Sequence, residues 1–483
     1  MPDTWGPNGI ENYIGWQQDE FYDKGERDLE GYIDELKKVI GEELVSVNET
    51  ILELHGRDES YHEPRLPDVV VFPRNKEDVS KILKFADERR IPVVPFGLGT
   101  SLEGHVIPVN GGISLDLSHM NAILEVKEND FLVKVQPGVT RSVLNKELKK
   151  YGLFFTVDPG ADATLGGMAA TNASGTTSVR YGIMRDQVRD LEVVLANGEI
   201  IHTGGLSAKS SSGIHLNGMF VGSEGTLGVI TELTLKVYGI PEAITAARAV
   251  FPSVKKAVDA VVGILAGGIP VARIEFVDGE SVKKVNEYME TQYEEDTTLF
   301  MEFHGNEAGL AQDVEFATEI LKDHGCTSFQ FEADSKARNQ LWEARHNLLY
   351  AYKHTAGNKS IMLTDVSVPI SELTGAILHT RELIDASRIE GSIVGHVGDG
   401  NYHVLLLLDK ENPEEVNEAE RINEEIVHYA LKRGGTCTGE HGVGLGKAKY
   451  QRLEHGAAYE VMKTIKKSLD PNGILNPGKI FID

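Results

Sequence analysis

One short segment, Gly395 to His403, constrains the fold more than any other part of the chain. Its Asp399-Gly400 pair is typical of the two-residue turn of a β-hairpin, because both residues tolerate the positive φ of a type I′ turn. A hairpin with this pair at its tip places His396 directly opposite His403, with Cβ atoms about 5 Å apart. The spacing therefore predicts two imidazoles on one face of a sheet, at chelating distance.

A second loop, Gly439-Glu440-His441-Gly442, carries a carboxylate and a further imidazole. Two histidines and one carboxylate with open positions form a usual catalytic metal site. If the loop reaches the hairpin, Glu440 could supply the carboxylate ligand and His441 a free base. The alternative is that the hairpin histidines are structural and satisfied by hydrogen bonds.

Length and charge limit the class of protein. The chain has 483 residues and a formal net charge of −26, which indicates two or three domains with an acidic surface. Such a surface repels phosphates, so we expect no nucleic-acid partner and no docking on anionic lipid. No window has the long apolar run of a membrane span, and the N-terminus lacks the features of a signal peptide. Two cysteines without a disulfide or zinc spacing favour a cytoplasmic setting, with peripheral membrane association as the alternative.

Changes in pattern divide the chain into four predicted parts. Residues 1–59 are an N-terminal arm and helix, and residues 60–240 alternate short strands with glycine turns, as in one α+β domain. Residues 241–470 contain strand, helix and strand twice over, which predicts a ferredoxin-like sheet with helices on one side. Single helices are predicted over 338–354 and 447–469, and residues 471–483 form a tail.

Three stretches rich in small residues, 97–104, 159–182 and 222–228, allow close approach of the backbone to a ligand. Gly97-Leu98-Gly99 is followed by Leu102 instead of the third glycine of a Rossmann loop, and no Walker A spacing occurs. Oriented backbone amides can bind a pyrophosphate without lysines. Although each stretch alone could be an ordinary loop, three of them predict a large phosphate-bearing cofactor.

These stretches, together with Asn476-Pro477-Gly478-Lys479, resemble the FAD-binding oxidoreductases of the vanillyl-alcohol oxidase (PCMH-type) fold. The resemblance covers roughly residues 50–483. It is strongest to the D-2-hydroxyacid dehydrogenases, a branch that includes cytochrome-type D-lactate dehydrogenase and the FAD-binding subunit of glycolate oxidase. The implied fold class is α+β, with a two-part FAD-binding domain at 60–240, a ferredoxin-like substrate or cap domain with the metal site at 241–470, and a C-terminal tail that returns to the FAD domain.

The resemblance implies bound FAD and a set of residues around it. In some members of the wider fold a histidine near the first loop is attached to the flavin, but noncovalent FAD is usual in this branch and is expected here. The implied FAD-binding residues are Pro95, Gly97, Gly99, Thr100, Ser101, Gly104, His105, Pro159, Gly160, Thr164, Gly166, Gly167, Thr171, Ser174, Gly175, Gly222, Gly225, Gly228, Val229, Ile230 and Asn476.

The same resemblance gives the hairpin and the second loop a concrete role. It implies that His396, His403 and Glu440 bind a divalent metal, for which zinc, manganese and iron are all suitable. His441 is the implied base that takes the hydroxyl proton of a D-2-hydroxy acid. The hydrogen on Cα leaves as hydride to the flavin and a 2-oxo acid is formed.

Arg345 is the expected partner of the substrate carboxylate. It lies within the apolar stripe of the predicted 338–354 helix, where a buried guanidinium needs a partner. A structural salt bridge is the alternative. Relatives that act on D-2-hydroxyglutarate tend to have a lysine just before the segment that corresponds to Asp365-Val366-Ser367, and this chain has none there. A pocket near Met362 and Leu363 indicates a small or apolar substrate, D-lactate first and glycolate second.

Other functions stay open at this point. A non-redox flavoenzyme such as alkylglycerone-phosphate synthase shares the fold, and a metallohydrolase without flavin would explain the hairpin alone. The aromatic arm at 1–27 also suits a subunit of a larger complex. For the main hypothesis the expected partners are a small 2-hydroxy acid and an external electron acceptor, namely a cytochrome, a quinone or an electron-transfer flavoprotein. A homodimer is compatible with the sequence.

Overall fold

The computed structural model describes residues 29–482, so the aromatic arm predicted at 1–27 lies outside the described residues. The N-terminal half, residues 29–240, contains eight α-helices and eleven strands. In chain order they are α1 (Leu29–Ile40), β1 (Val45–Ser46), α2 (Glu49–Leu54), β2 (Val69–Val71), α3 (Lys76–Arg89), β3 (Val93–Phe96), β4 (Ile113–Asp116), β5 (Ile123–Lys127), β6 (Leu132–Val135), α4 (Arg141–Leu148), β7 (Leu153–Phe154), α5 (Leu165–Ala170), α6 (Ser178–Tyr181), α7 (Met184–Gln187), β8 (Val188–Val194), β9 (Ile200–His202), α8 (Asn217–Phe220), β10 (Val229–Lys236) and β11 (Tyr238–Gly239).

Two sheets form the body of the N-terminal half. The first has the order β1-β2-β4-β3, and its β4 pairs in parallel with both neighbours. The second is antiparallel with the order β5-β6-β10-β8-β9. Short runs of β-branched residues explain these strands, and Val69–Val71 is buried throughout. The short strands predicted within residues 60–240 are present.

The second half of the chain is built around a larger sheet. Its elements are β12 (Ala243–Phe251), α9 (Val254–Ala266), β13 (Val271–Val277), α10 (Gly279–Met289), β14 (Thr297–Gly305), α11 (Glu307–Asp323), β15 (Ser328–Glu332), α12 (Ser335–His346), α13 (Leu348–Thr355), β16 (Ser360–Ser367), α14 (Ile370–Asp385), β17 (Glu390–His396), β18 (Asn401–Leu408), α15 (Pro413–Lys432), α16 (Gln451–His455) and α17 (Ala457–Leu469).

This seven-stranded antiparallel sheet, here called the cap sheet, has the order β15-β12-β14-β13-β17-β18-β16. Its first four strands have the ferredoxin-like order, which confirms the predicted architecture. The hairpin β17–β18 and strand β16 extend the sheet on the side of β13. The histidines therefore lie in strands that continue the ferredoxin-like unit.

Helices cover both faces of the cap sheet, so the prediction of helices on one side is wrong. The cluster on one face includes residues of α9, α11, α14 and α15, whereas α10, α12 and α13 pack on the other. The physical reason is that strands such as β14 are buried at nearly every position, and both of their faces therefore need cover. The face under α10, α12 and α13 is called the site face below.

Two predicted helices are each divided. The 338–354 helix begins earlier, at Ser335, and is split into α12 and α13 at Asn347, where ψ is 0°. The 447–469 helix is split into α16 and α17 at Gly456, whose φ of 53° only glycine adopts readily. Past α17 the tail returns to the first sheet, where the Asn476 amide donates to the Val93 carbonyl at 2.8 Å. Within residues 29–482, no helix is long and apolar enough to cross a membrane.

Candidate active site

The hairpin brings its histidines together, although in a different register from the predicted one. His396 pairs with Asn401, and His403 pairs with Val394. The Asp399 amide donates to the His396 carbonyl at 3.0 Å, and of the two predicted tip residues only Gly400 has a positive φ, so the turn is longer than a two-residue type I′ turn. Because the shift is two residues, both rings stay on one face, with centroids 5.3 Å apart.

Three donor atoms converge beside this hairpin. His396 Nε2 and His403 Nε2 each lie 3.1 Å from Glu440 Oε1. The other carboxylate oxygen, Glu440 Oε2, accepts a hydrogen bond of 2.7 Å from the Ser174 hydroxyl. Two imidazole nitrogens and one carboxylate oxygen at this spacing fit a divalent metal.

Each hairpin histidine is backed by a buried carboxylate. His396 Nδ1 lies 2.7 Å from Glu275 Oε1, and His403 Nδ1 lies 3.4 Å from Asp365 Oδ1. The hydrogen bond to Glu275 fixes the His396 ring and leaves its Nε2 as the ligand atom, which is the usual surrounding of a metal-binding histidine, whereas Asp365 lies near His403 Nδ1 without a hydrogen bond to it. Burial lowers the pKa of His396, but the Glu275 and Glu440 carboxylates outweigh it and hold that pKa well above its ordinary value. The negative charge of Glu275 and Glu440 also favours the binding of a divalent cation at this site.

Asp365 holds the loop that carries Glu440 and His441. Its Oδ2 accepts hydrogen bonds from the backbone amides of Gly439, Glu440 and His441, at 2.7–2.9 Å, and from the Thr438 hydroxyl at 2.6 Å. Burial raises the pKa of Asp365, but His441, His403 and these donors bring it below its ordinary value. The carboxylate is therefore ionised, and it fixes the loop against β16.

His441 is a neutral imidazole at physiological pH. Its ring stacks on His403 with centroids 4.9 Å apart. Burial lowers the pKa of His441 to about 4 and outweighs the opposing effect of the Asp365 carboxylate. Its buried Nδ1 has no hydrogen-bond partner among residues 29–482. A neutral ring beside the three donor atoms can accept a proton from a bound hydroxyl group.

Arg345 makes the salt bridge that was the alternative to substrate binding. Its Nε and Nη2 donate to Glu275 Oε2 at 3.2 and 2.8 Å. Glu275 therefore joins Arg345 to His396 and through it to the three donor atoms. The remaining guanidinium nitrogen, Nη1, is not used by Glu275, so contact with a substrate carboxylate stays a prediction.

The structure separates the two residues predicted at the pocket wall. Leu363 lies on the site face, two positions before Asp365, and its cross-strand partner there is Leu405. Met362 points to the opposite face and is buried in the core under α14 and α15, which corrects the expectation that it lines the pocket. Alternation along the strand is the physical reason, because neighbouring residues cannot both face the site.

The glycine loops meet at the carboxyl end of β3. A Cβ added at Gly97 would lie 2.6 Å from Thr164 Oγ1, and one at Gly225 would lie 2.9 Å from Pro95. The Asn476 side chain donates to the carbonyls of His105 and Glu224 at 3.1 and 2.8 Å. The three loops and the tail therefore converge on one region rich in small residues, which fits a long phosphate-bearing cofactor.

The predicted FAD-binding residues lie in these loops and at the ends of the elements next to them. Pro95 is in β3, and the loop after it contains Gly97, Gly99, Thr100, Ser101, Gly104 and His105. The loop before α5 contains Pro159, Gly160 and Thr164, helix α5 contains Gly166 and Gly167, and Thr171, Ser174 and Gly175 follow it. Between α8 and β10 lie Gly222, Gly225 and Gly228, and β10 begins with Val229 and Ile230.

Several side chains of this set have protein partners, and for three of them the partner is a carboxylate. The Ser101 hydroxyl donates to Asp58 at 2.9 Å, and Ser174 donates to Glu440. His105 is buried with Nε2 3.3 Å from Glu224 Oε1. For these three, any contact with the cofactor would come from the backbone or from the remaining side-chain atoms.

Sequence reasoning missed Glu275, Asp365 and Glu224. The first two are carboxylates at buried positions of strands β13 and β16, a pattern that signals a buried functional carboxylate. Glu224 stands inside a glycine-rich loop with a φ of 53°. Its partners lie far away in the sequence, and no local pattern identifies them.

Comparison with known proteins agrees with this architecture. The family model of the FAD binding domain matches residues 67–204, and that of the C-terminal domain of FAD linked oxidases matches residues 240–480. A crystal structure of p-cresol methylhydroxylase with substrate bound superposes with a TM-score of 0.79 over 94% of this chain and 97% of that chain, at 18% identity, and supports the fold alone. The fold is thus that of a FAD-binding oxidoreductase of the vanillyl-alcohol oxidase type.

Curated relatives are similar over nearly the whole chain. A probable mitochondrial D-lactate dehydrogenase of Danio rerio is 47% identical and covers 94% of this chain and 92% of its own. A mitochondrial D-lactate dehydrogenase (cytochrome) of Arabidopsis thaliana is 42% identical and covers 92% of this chain and 81% of its own. The chain therefore belongs to the FAD-linked oxidase family that includes these dehydrogenases.

Proposed function

We propose that this protein oxidises a D-2-hydroxy acid, with D-lactate as the first candidate, to the corresponding 2-oxo acid, with FAD and a divalent metal as cofactors. The observation that carries the proposal is the convergence of His396, His403 and Glu440 next to a neutral His441. The similarity to D-lactate dehydrogenases supports the substrate class.

His396, His403 and Glu440 would hold the metal. The hydrogen bond from His396 to Glu275 keeps Nε2 of that ring directed at the carboxylate, and Ser174 donates to the other carboxylate oxygen of Glu440. A bound divalent cation supplies Lewis-acid polarisation of the hydroxyl and carboxylate oxygens of the substrate. The choice among zinc, manganese and iron is left to metal analysis.

His441 would accept the proton of the substrate hydroxyl, since burial keeps this imidazole neutral. Bound FAD supplies the acceptor for the hydride that leaves Cα. One proton and one hydride are removed, so the alcohol becomes a ketone and the two electrons leave with the flavin. The loop contacts to Asp365 keep His441 in a fixed position during this step.

The site face favours a small substrate. On the site face, the cross-strand pair next to Asp365 and His403 is Leu363 with Leu405. Neither leucine can bind a second carboxylate of a substrate. This supports D-lactate, whose third carbon is a methyl group. Glycolate is the second candidate and D-2-hydroxyglutarate the third.

Anaerobic reduction of the flavin tests the proposal directly. We expect D-lactate to bleach the visible flavin absorbance of the metal-loaded protein within one turnover, while L-lactate leaves it unchanged. Parallel titrations with glycolate and D-2-hydroxyglutarate rank the other candidates. Flavin that stays oxidised with all D-2-hydroxy acids in the presence of metal would overturn the dehydrogenase assignment and favour a non-redox flavoenzyme.

Arg345→Lys should raise KM for the hydroxy acid by about tenfold, because lysine cannot keep the Glu275 contact and also offer a second nitrogen to the substrate. We expect kcat and metal content to change little. Arg338→Lys is the matched control on the same helix, since Arg338 donates to the Ile244 carbonyl. An unaltered KM together with loss of metal would make Arg345 a structural support of Glu275.

The electrons must pass from the flavin to an external acceptor. The name of the Arabidopsis relative includes cytochrome, and this supports testing a cytochrome before a quinone or an electron-transfer flavoprotein. Steady-state assays with each acceptor in turn would identify which one restores turnover after anaerobic reduction.

A further inference from the structure

All backbone amides of the 439–444 loop donate to side chains. Asp365 receives three of them, and the Thr438 hydroxyl receives that of Gly442 at 3.1 Å. Glu224 receives the remaining two, from Val443 at 2.6 Å and from Gly444 at 2.9 Å. Side-chain oxygens thus determine the course of the loop that carries Glu440 and His441.

The two carboxylates that hold this loop come from different parts of the fold. Asp365 belongs to β16 of the cap sheet, whereas Glu224 belongs to the loop between α8 and β10 in the N-terminal half. The Glu224 side chain is only 2% exposed, so its carboxylate has been taken out of water to reach the loop. Its two hydrogen bonds join the glycine loops directly to the His441 loop, and the hydrogen bond from Ser174 to Glu440 is a second such link.

The conformation of Glu224 is itself tightly determined. Its φ of 53° is unfavourable for a residue with a side chain and persists only where the surroundings impose it. Asn476 binds its carbonyl, and His105 Nε2 lies 3.3 Å from Oε1 opposite the loop amides. Gly442 leaves room for this arrangement, because a Cβ there would lie 2.5 Å from His105 Nε2.

We propose that Glu224 is a positioning residue, which sets where His441 stands relative to the FAD-binding loops. The inference rests on the proposed function, in which His441 accepts a proton while hydride passes to the flavin. Both transfers occur at neighbouring atoms of one substrate, and a misplacement of about 1 Å can cost roughly a hundredfold in rate.

Glu224→Gln tests the inference, because the amide keeps the size of the side chain but has one acceptor oxygen for two backbone donors. We expect the rate of flavin reduction by D-lactate in stopped flow to fall about 10- to 100-fold, with FAD and metal content retained and KM changed less than twofold. Glu232→Gln on β10 is the matched control, since that carboxylate pairs with Lys134 away from the loop. If Glu224→Gln is insoluble, Glu224→Asp, which keeps the charge with a shorter reach, is expected to slow reduction about tenfold.

Hydrogen–deuterium exchange separates this inference from the proposed function. In Glu224→Gln we expect faster exchange in a peptide that covers 442–446, with little change in one that covers 360–368. A normal rate of flavin reduction in a folded variant, or unchanged exchange, would overturn the positioning role. If no D-2-hydroxy acid reduces the wild-type flavin, the proposed function fails, and exchange alone then decides whether Glu224 holds the loop.

Discussion

His441→Ala is expected to lower turnover at least a hundredfold while both FAD and the metal remain bound. The loop is held through backbone amides, which alanine keeps, so Glu440 should stay in place. General-base catalysis contributes about 10²- to 10⁴-fold, and we expect kcat for D-lactate to fall within that range. Steady-state assays, flavin absorbance and metal analysis on one preparation provide the measurement.

The pH dependence offers an independent check on His441. A base works only when deprotonated, and burial lowers the pKa of this ring to about 4. The kcat/KM of the wild type should therefore stay level through neutral pH and decline only as the pH falls towards 4, below the usual histidine value of about 6.5. His428→Ala on α15 is the control variant. Near-normal turnover of His441→Ala would remove this residue as the base.

Glu440→Ala should release the metal and lower turnover on the order of a thousandfold. The change removes the carboxylate oxygen that lies 3.1 Å from both hairpin histidines, and leaves two imidazoles with buried negative charge behind them. Metal ions contribute several kcal/mol to such reactions, which corresponds to this loss. Inductively coupled plasma mass spectrometry gives the metal content before and after dialysis.

Two comparisons make the Glu440 result decisive. A chelator applied to the wild type should reproduce the loss of metal and of turnover. Added zinc, manganese or iron should restore turnover only when Glu440 is present. Glu418→Ala, which removes a surface carboxylate paired with Arg421, should leave metal and turnover unchanged. Full metal content in Glu440→Ala would exclude Glu440 as a ligand.

Local patterns in the sequence are sufficient to predict much of the fold. The two predicted strand, helix and strand units of residues 243–332 are both present, because each element there has its own apolar period, and the structure adds helix α10 between them. The hairpin and its facing histidines were also predicted. Its register was wrong because turn length depends on packing around Gly400, where an added Cβ would lie 2.0 Å from the Val368 carbonyl. The sequence near the turn does not reveal that neighbour.

The supporting carboxylates could not be predicted, because their partners are distant in the chain. Asp365 and Glu224 hold amides 74 to 220 residues away, and Glu275 meets His396 across 121 residues. The role of such a carboxylate can be recognised only when the positions of the strands in the fold are known. Arg345 illustrates the same limit, since its helical stripe predicted burial but did not distinguish Glu275 from a substrate as its partner.

The hydrogen bond between Ser174 and Glu440 bears on how such enzymes can be recombined. The cap sheet supplies His396 and His403, but the oxygen of Glu440 that faces away from them is held from the N-terminal half. Grafting this cap onto a foreign flavin domain would transfer the two rings and leave the carboxylate without its serine. A functional chimaera of this fold would therefore have to carry the segment after α5 from the same parent protein as the cap.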